Sequence, residues 1–265
     1  MYQPRTYRAT VNSHDLVAFN VMVKESDLYV RATTNLAKET RQAVLKYRRT
    51  LEDYITTHPY FLTSLVPLPA DAGAPKIVKA MLWASEKAGV GPMASVAGAI
   101  AQFVAGDLPQ AKEIIIENGG DIYIRSTRKR VISIFAGNSP LSGLLGLEIL
   151  GRETPLGICT SSGTVGHSLS YGQADAAIAI SPDAALADAA ATAIGNVIKT
   201  PDDIKDAIAL AQRIEGLKGL VVIKDDSLGI WGEVKLIKTT IPGNGRRKTR
   251  ASESSQDNHQ DRQKE

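Results

Sequence analysis

Segment 181–196 constrains this chain most, because it demands a helix buried almost all round that still carries a carboxylate. Apart from Asp188, Thr192 and Asn196, residues 184–196 are alanine, leucine, isoleucine and glycine. Ser181 is a favourable N-cap and Pro182 a favourable first helical residue, so the sequence predicts a helix opening there. Asp188, Thr192 and Asn196 recur every four residues and line one face. A carboxylate inside an apolar helix is costly unless a cation or hydrogen-bond donors satisfy it. Two readings follow. Asp188 and Thr192 are hard oxygen ligands one turn apart, suited to Mg²⁺ or Ca²⁺. Alternatively, Asp188 caps a neighbouring backbone segment and Thr192 bonds back to its own helix.

Around this segment the chain switches between periodicities. Residues from about Thr6 to Ala32 read as a β-meander, with apolar runs at Leu16 to Val23 and Leu28 to Val30. Asn35 to Thr57 take helical spacing, ended by His58-Pro59. Pro75 opens a second helix and Gly89 is its C-cap. Gly91 to Asp107 reads as a buried helix of small residues, which let another backbone or a ligand come close. Ile114 to Ile116 and Ile122 to Ile124 form a strand pair around Asn118-Gly119-Gly120-Asp121. Further strands are predicted at Val131 to Ala136, Gly157 to Thr160 and Ala176 to Ile180. Helices are predicted at Pro182 to Ile198 and Asp202 to Ile214. A last hairpin pairs Gly219 to Lys224 with Gly229 to Ile237 through Asp225-Asp226-Ser227. Strands come in runs with helices grouped between them, which argues α+β with mixed or antiparallel sheets and packed helices. We expect one domain over residues 1–238 and a disordered polar tail over 239–265.

The formal net charge of +3 is too small to argue for a nucleic-acid partner. Basic clusters at Arg125 to Arg130 and Arg246 to Arg250 read as solvated surface and tail. The one cysteine, Cys159, allows no disulfide within the chain, which suits a reducing cytosol. The N-terminus lacks the apolar core of a signal peptide, and no stretch reaches the ~18 apolar residues that span a bilayer. The expected location is cytoplasmic.

Two loops could carry chemistry. Asn118-Gly119-Gly120-Asp121 is a hairpin signal first, but its double glycine also leaves amides free for an anion. Thr160-Ser161-Ser162-Gly163, after an apolar strand, could hold a phosphate or hydroxylated ligand, or be an ordinary turn. Cys159 beside it is either a nucleophile or sulfur carrier, or a small buried strand residue. His167 is a lone histidine. There is no P-loop, no Gly-x-Gly-x-x-Gly, no zinc-ligand spacing and no nucleophile elbow.

Together these motifs resemble the ApbE superfamily, whose best-known members are FAD:protein FMN transferases. The family shows Gly-Ala-Ile-Ala-Lys-Gly-x-x-x-Asp; here Gly98-Ala99-Ile100-Ala101 and Asp107 match, with Gln102 and Phe103 in place of Lys-Gly. Its Asn-x-Gly-Gly-Asp is matched by Asn118-Gly119-Gly120-Asp121 without the spacer. Its Thr-Ser-Gly is matched by Thr160 to Gly163, and its Ala-Asp-x-x-x-Thr in full by Ala187-Asp188 to Thr192. The run Gly89 to Ala101 is similar to the signature of the ApbE-like uncharacterised protein family 0280.

The resemblance implies that Asp188 and Thr192 hold Mg²⁺. It implies that Ala99, Asp107, Asn118 to Asp121 and Thr160 to Gly163 line a cleft for FAD or a related nucleotide, with a protein as acceptor. The departures count against flavin transfer. Gln102 and Phe103 remove a cation and a close-approach glycine, and the family segment before the last motif is shortened, leaving His167 as a possible remnant of its histidine. Three readings stay open: a Mg²⁺-dependent flavin transferase, a flavin- or nucleotide-binding protein without turnover, and a sulfur or redox protein acting through Cys159.

Overall fold

The computed structural model describes residues 15–164 and 171–239. In chain order the strands are β1 (Val17–Val23), β2 (Ser26–Ala32), β3 (Ile114–Asn118), β4 (Asp121–Arg125), β5 (Arg130–Ser133), β6 (Leu145–Ile149), β7 (Leu156–Ser161), β8 (Ala176–Ser181), β9 (Gly219–Lys224), β10 (Ser227–Gly232) and β11 (Leu236–Lys238). The helices are α1 (Ala37–Thr57), α2 (Tyr60–Thr63), α3 (Lys76–Ala88), α4 (Val96–Gly106), α5 (Ala184–Val197) and α6 (Ile204–Ala211). Eight strands form one antiparallel sheet in the order β1-β2-β3-β4-β7-β8-β9-β10, and a second sheet has the order β11-β6-β5. The α+β expectation holds, with antiparallel sheets and packed helices.

Strand alternation divides the core in two. Ile114, Ile116, Tyr123, Cys159, Ala177 and Ala179 face the helices. Ile115, Ile122, Ile124, Ile158, Ile178 and Ile180 face the small sheet. Both faces of the central strands are therefore covered, and β8 is buried at every position. Burying each isoleucine contributes about 1.5–3 kcal/mol before conformational entropy is counted.

The two faces differ in bulk, and the difference positions α5. Toward the helices, β7 and β8 present Gly157, Cys159, Ala177 and Ala179, so α5 lies close to the sheet. A Cβ on Gly157 would come within 2.3 Å of the Ala184 Cα. A Cβ on Gly98 of α4 would come within 2.1 Å of the Ala184 carbonyl oxygen. The small residues of all three elements bring backbones together.

Several expectations are corrected. Ser181 is not the N-cap of α5: it ends β8 opposite Gly157, and Asp183 takes the cap by accepting the Leu186 amide at 2.9 Å. Ser181 Oγ instead accepts the Asp183 amide and donates to the Gly216 carbonyl. The strand expected over Gly229 to Ile237 is two strands, β10 and β11, in different sheets. The small sheet, with β6, has no counterpart in the expected elements beyond β5 and the end of that strand. The helix over Gly91 to Asp107 begins as a 3₁₀ turn at Pro92–Ser95 before α4. Residues 6–14 of the expected meander and residues 240–265 of the expected tail lie outside the described residues.

An ion-pair cluster around the buried Arg130 and Glu113 closes one end of the strands. Arg130 pairs with Glu113 at 2.7 Å and with Asp15 at 2.6 Å. Burial pushes the Glu113 carboxyl up, but hydrogen bonds from Ser126, Thr127 and Arg130 outweigh it and hold the group at about 2. Its folded value lies below its ordinary 4.5, so its contribution to stability is present above pH 4.5 and is lost as pH falls toward 2. Glu113→Gln therefore flattens the stability profile between these limits, measurable by urea unfolding at pH 5.5 and 2.5. Gly157→Ala should cost about 1–3 kcal/mol in the same assay at neutral pH, because the new methyl meets backbone.

Candidate functional site

Helix α4 and helix α5 each complete the other's first turn. The opening amides of a helix have no partner within it. The Gly98 amide, in the first turn of α4, donates to Asp188 Oδ2 of α5 at 2.9 Å. The Ala184 amide, in the first turn of α5, donates to Gln102 Oε1 of α4 at 2.5 Å. Gln102 Nε2 also donates to Asp183 Oδ2 at 3.1 Å. The polar stripe is thus explained in part as capping: Asp188 caps α4, and Asn196 Oδ1 accepts the Tyr171 amide at 3.0 Å. Thr192, half-buried between them, makes no bond back to its helix among the described residues, unlike Thr50 and Thr56 of α1.

Capping does not use up the chemistry of Asp188. The end of the β3–β4 hairpin brings a second carboxylate, Asp121, to the helix-facing side of the sheet. Gly119 and Gly120 adopt φ +73° and +108°, which places Asn118 and Asp121 opposite each other across a two-residue turn. Asn118 Nδ2 donates to the Ala97 carbonyl at 3.2 Å, tying the hairpin to the start of α4. Asp121 Oδ1 accepts the Thr160 amide at 3.2 Å.

Both carboxylates are buried. Burial, and after it the charge of Asp188, pushes Asp121 well above its usual range. Burial raises Asp188 to about 7, against the hydrogen bonds from the Gly98 and Ala97 amides. Neither forms an ion pair with Lys, Arg or His among the described residues.

Two carboxylates repelling each other in a buried place, with a hydroxyl one helical turn away, make a hard-oxygen donor set. Among the described residues no cluster of three His, Cys, Asp or Glu could ligate a metal, so a cation here would also draw on Thr192 or main-chain oxygens. The donor set fits Mg²⁺, which takes few protein ligands and keeps waters.

The other expected site residues divide. Ala99 is fully buried in the core beside Gly98. Thr160 lends its amide to Asp121, while its side chain, opposite Ile178, belongs to the face toward the small sheet. Ser161 faces α5, whose Gly195 leaves room for its hydroxyl. Ser162 and Gly163 turn away toward the Ala174 carbonyl. The Gly120 amide is not free for an anion, because it donates to Glu117 Oε1 at 2.8 Å.

Asp107 sits at the C-terminal end of α4, about 13 Å along the helix from Gly98, where Lys46 Nζ and Tyr47 Oη bond it at 2.8 and 3.0 Å. Cys159 is fully buried and its Sγ reaches the Ala184 carbonyl at 3.5 Å. Burial, then the charges of Asp121 and Asp188, push its thiol well above its usual range, the reverse of what a nucleophile needs. His167 lies outside the described residues. Gln102 was absent from the expected site.

This arrangement of sheet, hairpin and paired helices defines an α+β protein of the ApbE class. The fold is similar to that of the flavinyl transferase ApbE from Pseudomonas stutzeri in its apo form. The TM-score is 0.53 at 15% identity, over 82% of this chain and 94% of that one. A variant of the flavin transferase ApbE from Vibrio cholerae gives a TM-score of 0.53 at 10% identity, covering 82% and 96%. A family model described as AbpE bacteria matches residues 8–219. The chain is 42% identical to a UPF0280 protein of Methanocaldococcus jannaschii over 226 residues, 83% of this chain and 92% of that relative. It is also 42% identical to a UPF0280 protein of Methanococcus aeolicus over 228 residues, covering 83% and 89%. The chain belongs to this ApbE-related family, UPF0280.

Asp188→Asn keeps an acceptor for the Gly98 amide and removes the buried charge. The raised value means that metal-free stability contributed by the protonated group is lost as pH rises from about 4 through about 7. The variant should therefore melt above the metal-free wild type at pH 8.5 and close to it at pH 4, followed by circular dichroism.

Proposed function

We propose that this chain is a Mg²⁺-dependent, FAD-binding protein of the flavin (FMN) transferase type. The observation that carries the reading is the buried pair Asp121 and Asp188, which has no cationic partner among the described residues. Asp188 and Thr192 would hold the cation, with Asp121 as a second carboxylate on the sheet side. When bound, the cation would neutralise phosphate charge on the dinucleotide. This chain's residues do the rest. The Gly98 amide holds Asp188 Oδ2, and Oδ1 is the oxygen the cation would take. Asn118 ties the hairpin to α4, and the Thr160 amide orients Asp121. The likeness to the flavin transferases of Pseudomonas stutzeri and Vibrio cholerae supports the choice of ligand at the level of fold.

One observation favours a second reading, binding without turnover. Where the ApbE motif has lysine this chain has Gln102, and its side chain is committed to Asp183 and Ala184. A neutral side chain engaged in this way supplies no positive charge to a phosphate. A sulfur or redox role through Cys159 has the least support, given the burial and raised value of its thiol.

Calorimetric titration with FAD should show binding only with Mg²⁺, and Asp188→Ala should weaken it by about a hundredfold or more, the scale of losing a metal ligand and its charge. Equal FAD binding with and without Mg²⁺, or none in either condition, overturns the reading. Release of AMP with a flavinylated acceptor marks transfer; FAD recovered intact after binding marks the second reading.

A further inference from the structure

We infer that Gln102 is the positioning residue of this site. By accepting the Ala184 amide, its side-chain carbonyl fixes the seat of α5 on α4 from which Asp188 presents its carboxylate. The functional consequence rests on the metal reading above; the seat itself does not.

The bonds form a crossed pair. Gly98 meets Asp188, and Gln102, one turn later in α4, meets Ala184, one turn earlier in α5. Between them the helices touch at backbone, since a Cβ on Gly98 would lie 2.1 Å from the Ala184 carbonyl oxygen. Removing either bond leaves a helix-opening amide of a buried residue without its side-chain partner; the Gly98 contact is buried and the Gln102 contact is part-buried. Asp183 is tied in as well: Oδ2 accepts from Gln102, and Oδ1 caps the Leu186 amide at 2.9 Å. Gln102 therefore holds the first turn of α5 at both its cap and its opening amide. The carboxylate of Asp188 sits one turn further on, and its direction follows from that turn.

Side-chain chemistry separates the two halves of this grip. Glutamine both accepts and donates. Lysine offers only donors, so Gln102→Lys keeps the Asp183 contact and strands the Ala184 amide. Glutamate offers only acceptors, so Gln102→Glu keeps an acceptor for the Ala184 amide but loses the donor to Asp183 Oδ2 and sets a second carboxylate against it. Leucine removes both.

The test uses the full chain and two readouts. Amide exchange by NMR is read at Gly98, whose amide is bonded to Asp188 and not to the Gln102 side chain, with Ile116 of β3 as the control for a folded core. Mn²⁺ affinity is read by electron paramagnetic resonance. Gln102→Leu and Gln102→Lys should each speed Gly98 exchange and weaken Mn²⁺ binding by about tenfold, with Ile116 unchanged. Gln102→Glu, which keeps the acceptor but faces the Asp183 carboxylate, should lie between wild type and Gln102→Leu on both. Unchanged Gly98 protection in Gln102→Leu and Gln102→Lys overturns the inference, whatever the metal does. Faster Gly98 exchange in Gln102→Leu and Gln102→Lys, with a wild type that binds no Mn²⁺, overturns the metal reading and leaves the seating of α5 by Gln102 standing. Mn²⁺ binding lost in Asp188→Ala but untouched in every Gln102 variant supports the metal and overturns the positioning of it.

Discussion

The structure depends on the exchange of caps between α4 and α5. Each helix opens inside the protein, where its first amides cannot be left to water. Each is satisfied by a side chain from the other, Asp188 for Gly98 and Gln102 for Ala184. This requires backbone approach that only small residues permit, which is why Gly98, Ala184 and Gly157 meet at one place. A charged cap was used on one side and a neutral cap on the other. The neutral one costs little. The charged one lies close enough to Asp121 to raise its value, with no ion pair to offset either carboxylate among the described residues.

That asymmetry links fold to chemistry. Had the only need been to cap α4, an asparagine at 188 would serve without the cost of a buried charge. A second carboxylate on the facing hairpin makes the cost larger. Buried like charges held together by the fold are a mark of sites that bind something of opposite sign. The same pair explains why Cys159 is a poor nucleophile: an anionic thiolate between two carboxylates is disfavoured twice, by burial and by charge.

Much of this was legible in the sequence wherever a local rule applies. The i, i+4 spacing of Asp188, Thr192 and Asn196 predicts one shared face, and the double glycine predicts the hairpin that carries Asn118 and Asp121. Pro75 and Gly89 mark the ends of α3, and Gly89 indeed takes the left-handed conformation at φ 72°. What was illegible depends on distant residues. Gln102 reads only as a departure from a motif, because its partner lies 82 residues away. The small sheet was missed because β11 reaches back to β6 across about a third of the chain, Leu236 pairing with Leu147, and the Leu145–Ile149 stretch has no turn chemistry joining it to that partner. Ser181 and Asp183 are both good N-caps; the choice between them was made by the pairing of Ser181 with Gly157 in the sheet.

The central claim is that Asp188 serves at once as a helix cap and as an anchor for a divalent cation shared with Thr192 and Asp121. A crystal of the full chain grown with Mn²⁺, measured at the manganese absorption edge, tests it most directly. The account predicts an anomalous peak within about 2.2 Å of an Asp188 oxygen and the Thr192 hydroxyl, with the Gly98 amide still bonded to the other Asp188 oxygen. No peak at that place, with both Asp188 oxygens held by α4 amides, would contradict it.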